Sequence, residues 1–432
     1  MTSPQAISLL VLVCVIAALV WGRFRAEVVA LSGAAALLIT RTIRPVEVEG
    51  AFASPAIIAL ASLFVIAYAM ELNGLMGLII RAAVRVSVRL GSAGIWLMIV
   101  LAGAASAFVN NTPIVVLVAP VIRDVSTSMG LPQKRFLIPL SYATILGGCC
   151  TLIGTSTNLL VNDMARNAGQ PIFSLFEITP VAVLIALAGS LYLVTVGARV
   201  LSRPHPGEAG AGGLPERAET ATGFDPAIYP VDRPFRPWAG LFSLLVFAGV
   251  VTVAALDWAP IAAAAFTGAV LLIVTGAISA DDAYRGLRPE ILLLIAGMVV
   301  VGLSLEITGL AALATGATLG WVGSLGPYPA LALLYGATLF LTEILSNAAV
   351  AVLITPIAVA LAHSLGVNPR PFLVAVMMAA SAAFATPFGY QTNVLVYQTG
   401  GYSYADFVRV GVPLNLLTWL VGVVSIPFFF PF

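Results

Sequence analysis

Four short polar clusters interrupt an otherwise apolar sequence, and they fall into two matched pairs. Asn110-Asn111-Thr112-Pro113 and Ser346-Asn347-Ala348 break the middle of two long apolar stretches, 92–122 and 327–362. Gly154-Thr155-Ser156-Thr157-Asn158 and Gly389-Tyr390-Gln391-Thr392-Asn393 each lie inside an apolar span. Amides, hydroxyls and glycines in such a setting are suited to reversible binding of small ions. A broken helix frees N–H groups that can face an anion, and carbonyls that can ligate a hard cation such as Na⁺. None of the four clusters holds Arg or Lys. A bound anion must therefore be balanced by amides, hydroxyls, helix N-termini and co-bound cations. Plain helix capping and a packing kink are the structural alternatives at these positions.

One carboxylate stands among these groups. Glu343 lies four residues before Asn347, inside the second interrupted stretch, where the matching residue of the first is Ala107. An ionisable group at membrane depth is a functional candidate by default. Glu343 can carry a proton or add negative charge near a cation. Glu71 and Glu306 occupy matched positions at the ends of two spans, where a structural role competes with a functional one. His205 and His363 fall in a hydrophilic stretch and near a loop, and no HExxH pattern or Ser–His or Asp–Asp pair lies at membrane depth. An intramembrane enzyme is thereby excluded. Cys14, Cys149 and Cys150 form neither a disulfide framework nor a CxxC pair and read as small apolar residues.

The elements that position these residues follow from composition. Hydrophobic residues make up 60% of the 432 and charged residues 9%, with a mean hydropathy of +1.05. Soluble chains carry about 25% charged residues, so this one cannot cover a water-facing surface. Lipid offers no partner for backbone polar groups, so spans must be helices or a closed barrel. Runs such as Ala6–Trp21 and Trp238–Leu256 are apolar all round, with no period-2 alternation, and predict helices. The expected spans are 6–22, 26–42, 55–72, 134–160, 176–200, 238–257, 260–278, 289–306, 371–395 and 410–429. The stretches 92–122 and 327–362 read as re-entrant hairpins. Segment 74–90 sets Arg81, Arg85 and Arg89 four residues apart, as in an interfacial amphipathic helix. The hydrophilic stretch 203–237 reads as a cytoplasmic linker between residues 1–202 and 238–432. The net charge of +1 gives no electrostatic footprint for nucleic acid.

Residues 1–202 and 238–432 are repeats. ELNGL at Glu71–Leu75 matches EITGL at Glu306–Leu310, and NNTPIVVLVAPVI from Asn110 matches SNAAVAVLITPIA from Ser346. GTSTNLLV from Gly154 matches GYQTNVLV from Gly389, and Ser54-Pro55 matches Arg288-Pro289. The order is kept, at an offset of about 235 residues. Five spans and one hairpin per repeat, an odd number of crossings, predict inverted topology. Placing both termini outside leaves only Arg41, Arg44, Arg166 and Arg370 on that side, against sixteen Lys and Arg in the cytoplasm, as the positive-inside rule requires. Inverted repeats with broken helices at corresponding places are the mark of secondary transporters. An anion channel would also use re-entrant hairpins.

NNTPIVVLVAP, TLIGTSTNLLV, SNAAVAVLITP and TPFGYQTNVLV, followed by GGYSYADFVRVG, resemble the divalent anion:sodium symporters of the ion transporter superfamily. These include INDY-type dicarboxylate carriers and related sulfate permeases. The resemblance covers nearly the whole chain outside the linker. It implies a sodium-coupled symporter, a homodimer in a bacterial inner membrane, and elevator-type movement, with Na⁺ as coupling ion and no other cofactor. It also implies one sodium site at Ser106, Asn110, Asn111 and Gly154, and another at Thr342, Asn347 and Gly389. The anion would meet Asn111, Thr112, Thr155, Ser156, Asn347, Tyr390 and Gln391. Two departures bear on specificity. Ala348 stands where the family has Thr, and Ser156-Thr157 and Gln391-Thr392 replace the Pro-Pro pair of the dicarboxylate carriers. The sequence is thus nearer the sulfate permeases, and sulfate is the favoured substrate, with succinate- or citrate-type dicarboxylates as the alternative. The superfamily also holds Na⁺/H⁺ antiporters, a reading that Glu343 keeps open.

Overall fold

The computed structural model describes residues 2–21, 23–75, 90–201, 235–310, 313 and 326–432. The expected amphipathic segment and the linker fall almost wholly outside these residues. Among the described residues the chain is helical, without strands. The first repeat runs through α1 (Ser3–Trp21), α2 (Ala26–Ile39), α3 (Pro45–Phe52), α4 (Pro55–Leu72), α5 (Ser92–Ser106), α6 (Asn111–Ser128), α7 (Lys134–Gly148), α8 (Ser156–Asn167) and α9 (Thr179–Tyr192). A π-helical turn, Leu193–Gly197, carries α9 on to Leu201. The second runs through α10 (Pro237–Ala255), α11 (Ile261–Val274), α12 (Ala280–Gly286), α13 (Pro289–Ile307), α14 (Pro327–Thr342), α15 (Asn347–Ser364), α16 (Arg370–Ala380), α17 (Gln391–Gly400) and α18 (Tyr404–Phe429). The elements of one repeat thus recur in the other in the same order.

Among the described residues, six helical segments are long and apolar enough to cross a membrane: Pro45–Leu72, Thr179–Leu201, α10, α13, α15 and α18. The expected spans 134–160 and 371–395 are each split into two helices, α7 with α8 and α16 with α17. The breaks run from Cys149 to Thr155 and from Ser381 to Tyr390. They begin upstream of the Gly-to-Asn motifs, because the helix resumes at Ser156 and Gln391. Thr157, Asn158, Thr392 and Asn393 are therefore helical rather than unwound. The short helices α3 and α12 were not expected. Each carries charge in its first turn, and a side chain holds its N-terminus: the Glu47 carboxylate accepts from the backbone N–H and guanidinium of Arg44 in α3, and Ser279 accepts from the Asp282 N–H in α12.

Packing is also repeated. α2 lies on α13 as α11 lies on α4, α5 on α7 as α14 on α16, and α1 on α2 as α10 on α11. Two groups result. One contains α1–α4 and α10–α13; the other contains α5–α9 and α14–α18. Small residues let backbones touch at these contacts, the usual device where lipid supplies no hydrophobic drive between helices. A Cβ on Gly297 of α13 would come 2.7 Å from the Ala30 backbone of α2, and one on Gly103 of α5 would come 2.8 Å from the Ala143 carbonyl of α7. Contacts between the groups are uneven. α15 and α8 pack on α13, and α8 packs on α4, whereas α6 and α17 make no comparable contact with α4 or α13 among the described residues. Buried Asp163 of α8 accepts a 2.6 Å hydrogen bond from Ser54, the N-cap of α4, and pairs with Arg166 at 3.0 Å.

Candidate ion and anion site

The first tip is the short turn between α5 and α6. Asn110 caps α6, its side chain accepting from the Thr112 N–H at 3.3 Å. Ser106, the last residue of α5, donates to Asn111 Oδ1 at 2.6 Å, which leaves the Asn111 amide N–H₂ free to reach the second repeat. It donates to the Tyr390 hydroxyl at 2.8 Å, and Thr112 Oγ1 donates to Gln391 Oε1 at 3.2 Å. Tyr390 is the N-cap of α17, and its hydroxyl also lies against Thr155, the N-cap of α8. The N-termini of α6, α8 and α17 thus meet around one phenol. Helix N-termini carry partial positive charge and unsatisfied N–H groups, so the arrangement can receive an anion without a cationic side chain.

Beside it, carbonyls converge. Thr151 accepts the Gly154 N–H at 3.2 Å and donates to the Ala107 carbonyl, which pins the break of α7–α8 to the tip. Asn158 from α8 donates its amide to the carbonyls of Thr151 at 2.9 Å and Cys149 at 3.4 Å. The outcome is crowding at Gly154. A Cβ there would lie 2.8 Å from both the Ser106 and Ala107 carbonyl oxygens and would run into that of Gly148. Asn111 Oδ1 adjoins the same place, 2.6 Å from where a Cβ on Gly148 would stand. Converging carbonyl oxygens suit a hard cation. Of the residues the sequence proposed for the first sodium site, Ser106, Asn111 and Gly154 are brought together here, while Asn110 serves as a cap.

The second repeat uses the same frame with different contents. Thr342, ending α14, lies 2.8 Å from Asn347 Oδ1 and 2.6 Å from the Ala380 carbonyl. Ser346 caps α15 through the Ala349 N–H at 3.3 Å. Thr386 accepts the Gly389 N–H at 3.1 Å and reaches the Glu343 carbonyl at 3.4 Å, as Thr151 does with Gly154 and Ala107. Asn393 donates to the Ala383 and Thr386 carbonyls at 2.8 and 3.3 Å, as Asn158 does in the first repeat. Here the Glu343 side chain enters the break. Its carboxylate accepts from the N–H groups of Ala385 at 2.7 Å and Thr386 at 2.9 Å, and from the Asn415 amide at 2.7 Å. Among the described residues, Ser156 and Asn347 make no hydrogen bond to the Tyr390 cluster.

Several residues of the site were not singled out in the sequence. Thr151 and Thr386 each stand three places before the motif glycine, in TLIG and TPFG, so the repeat itself carried their signal. Ser141 of α7 bonds Thr392 at 2.8 Å and Asn393 at 2.7 Å, and the Tyr142 hydroxyl donates to the Phe384 carbonyl. Asn415 lies in the middle of α18, where a lone Asn in an apolar helix gives no sign of its partner.

A family model described as CitMHS, citrate transporter, matches residues 16–369. The chain belongs to the citrate transporter family. The chain is a membrane transporter. It is similar to an uncharacterized transporter of Synechocystis, 24% identical with 96% of this chain and 95% of the relative covered. It is 26% identical to the sodium-dependent dicarboxylate transporter SdcS of Staphylococcus saprophyticus, covering 91% and 80%. Sodium/sulfate cotransporter 1 of Chlamydomonas reinhardtii is 38% identical, over 35% of this chain and 17% of that much longer protein. The solved structure of the YdaH transporter of Alcanivorax borkumensis superposes with a TM-score of 0.59 at 15% identity, covering 88% of this chain and 86% of that one. That likeness extends to the fold.

Proposed function

We propose that this member of the citrate transporter family is a sodium-coupled symporter of a small divalent anion, sulfate being favoured. One observation carries the reading: the carbonyl cluster beside Gly154 adjoins Asn111, and Asn111 reaches the Tyr390 hydroxyl where three helix N-termini meet. A cation in the first place lowers the electrostatic cost of an anion in the second, which is a physical basis for coupling. The anion is received by Asn111, Thr112, Thr155, Tyr390 and Gln391, with Ser156 and Asn347 at the neighbouring helix N-termini. Sodium is held by Ser106, Asn111 and Gly154 in one repeat and near Thr342, Asn347 and Gly389 in the other. The relative named for sodium and sulfate supports the substrate class, as do the hydroxyl and amide residues in place of a Pro-Pro pair. The family description and the dicarboxylate relative favour a second reading, a carboxylate such as citrate or succinate.

Transport proceeds by an elevator movement of the α5–α9 and α14–α18 group against the α1–α4 and α10–α13 group. The uneven contacts between the groups support this: an inverted repeat caught at one end of its travel touches its scaffold through one repeat's elements more than the other's. The protein is a homodimer in a bacterial inner membrane with both termini outside. A thermal-shift panel of sulfate, thiosulfate, succinate, citrate and arsenite, with NaCl or choline chloride, tests substrate and coupling together, since ligands of the folded state raise its stability. A sodium-dependent shift with sulfate is expected. Uptake into vesicles that runs unchanged with choline replacing Na⁺, and no pH gradient, would remove the symporter reading.

A further inference from the structure

One turn of the first repeat fastens the second at the anion site. Helix α7 packs on α17 and carries two adjacent hydroxyls, Ser141 and Tyr142, both fully buried. Ser141 Oγ lies 2.7 Å from Asn393 Oδ1 and 2.8 Å from Thr392 Oγ1, in the first turn of α17. The Asn393 amide nitrogen is committed to the Ala383 and Thr386 carbonyls, so Oδ1 accepts. The single Ser141 proton therefore goes to Asn393, and the Thr392 hydroxyl donates to Ser141. The Tyr142 hydroxyl donates to the Phe384 carbonyl inside the break, and the two rings lie 5.0 Å apart between centroids. The segment from Phe384 to Asn393 is thus held to α7 at both ends. Tyr390 and Gln391, which meet Asn111 and Thr112, stand within it.

The reciprocal tie is missing. Helix α16 packs on α8 as α7 packs on α17, yet no hydroxyl residue occurs between Arg370 and Ala380. At the offset of 235, Val376 and Met377 stand where the first repeat has Ser141 and Tyr142, and both are fully buried. Asn158, the counterpart of Asn393, donates its amide to the Cys149 and Thr151 carbonyls in the same manner. Its Oδ1, however, is buried without a hydrogen-bond partner among the described residues. Buried acceptors are normally paired. In the second repeat the group that pairs this one is Ser141, which belongs to the first.

We propose that Ser141, with Tyr142 beside it, is a positioning residue for the transported anion: it fixes the α17 N-terminus, and with it Tyr390 and Gln391, against the first tip. The inference rests on the anion-symporter reading above. Ser141 acts through Thr392 and Asn393, which follow directly on Gln391 in α17. Loss of its hydroxyl puts Asn393 Oδ1 in the condition of Asn158 Oδ1 and frees the α17 N-terminus to shift relative to Asn111. The groups that receive the anion then lose alignment, and affinity for the anion falls more than the rate of its movement.

The test is initial uptake of radiolabelled sulfate, succinate and citrate by the purified full chain in vesicles, at saturating Na⁺ and over a range of anion concentrations. Ser141→Ala should raise the half-saturating concentration of the transported anion about tenfold, the size of one lost buried hydrogen bond, and change the maximal rate by about twofold or less. Ser141→Thr keeps the hydroxyl and should restore most of that loss. Tyr142→Phe keeps the ring, removes the bond to Phe384 and should raise the half-saturating concentration about threefold. In a Tyr390→Phe background, Ser141→Ala should add about threefold or less, because part of what it positions is already gone. A half-saturating concentration unchanged in Ser141→Ala, raised as much in Ser141→Thr, or raised equally with and without the Tyr390 hydroxyl would overturn the proposal alone. If Ser141→Ala does not fold, Tyr142→Phe decides, and an unchanged half-saturating concentration there overturns it. A wild-type protein that takes up none of the three anions would overturn the symporter reading and this inference with it.

Discussion

The break between α7 and α8 and the break between α16 and α17 are built on one plan. In each, a threonine pins the break to a hairpin tip, an asparagine from the following helix bonds its carbonyls, and a glycine stands at the point of closest approach. What fills the two frames differs. Around Gly154 the neighbours are backbone oxygens of Ser106, Ala107 and Gly148; around Gly389 they are the Ala383 methyl, Thr386 and Glu343 side chains. The first is lined by neutral backbone oxygens, the second by side chains that include a carboxylate. The two breaks share a scaffold of hydrogen bonds, while side chains at single positions make them unequal.

The sharpest way to break this comparison is to add one methyl group to each glycine. Gly154→Ala drives a Cβ into three backbone carbonyls, which cannot give way without moving α5 or α7; over-packing of this kind costs about 1–3 kcal/mol. Sodium-driven uptake should fall a hundredfold or more. Gly389→Ala meets one fixed methyl, that of Ala383, with Thr386 and Glu343 side-chain oxygens farther off; it should lose about tenfold or less. Uptake rates and thermal midpoints of the two variants, side by side, give the answer; equal losses would deny the difference in crowding.

The tips allow a second comparison. Asn111 joins the carbonyl cluster to Tyr390, whereas Asn347 bonds Thr342 and stays within its own repeat. Losing a buried hydrogen bond of this type costs about 1–3 kcal/mol, roughly tenfold or more in affinity. Asn111→Ala should raise the half-saturating concentrations of both Na⁺ and anion. Asn347→Ala should raise that of Na⁺ more than that of the anion. A concentration matrix of uptake rates separates these outcomes.

A smaller effect is expected where the α5–α9 and α14–α18 group rests on the other. Asp163→Asn weakens the bond to Ser54 and the pair with Arg166. If that contact is made in one state only, the variant should change the maximal rate severalfold with little change in either affinity. A shift in affinity with an unchanged rate would tie Asp163 to the site instead. The smallest effect should come from Ala348→Thr, which restores to the second tip the hydroxyl that Thr112 supplies to the first. It should alter the ratio of sulfate to dicarboxylate uptake by a few-fold, and a ratio that does not move would exclude the second tip from selectivity.

The sequence by itself determined that the chain is a helical membrane protein, where its helices break at the two tips, and which residues recur between its repeats. Hydrophobicity and the position of Pro, Gly and Asn decide those matters locally, because lipid tolerates an open backbone only where the protein supplies partners. Asn110 and Ser346 are caps that a run of polar residues announces. The extent of the other two breaks was not legible: they start at Cys149 and Ser381, upstream of the Gly-to-Asn motifs, while the partners that bond their carbonyls, Asn158 and Asn393, lie downstream. Nor could any spacing reveal that Asn111 faces Tyr390, 279 residues away, or that Glu343 bonds Asn415, 72 residues away. Such pairs depend on how helices cross, which only the packed tertiary structure decides. The repeat told where the two sites lie; the packing told that one is ringed by carbonyls and the other by a carboxylate.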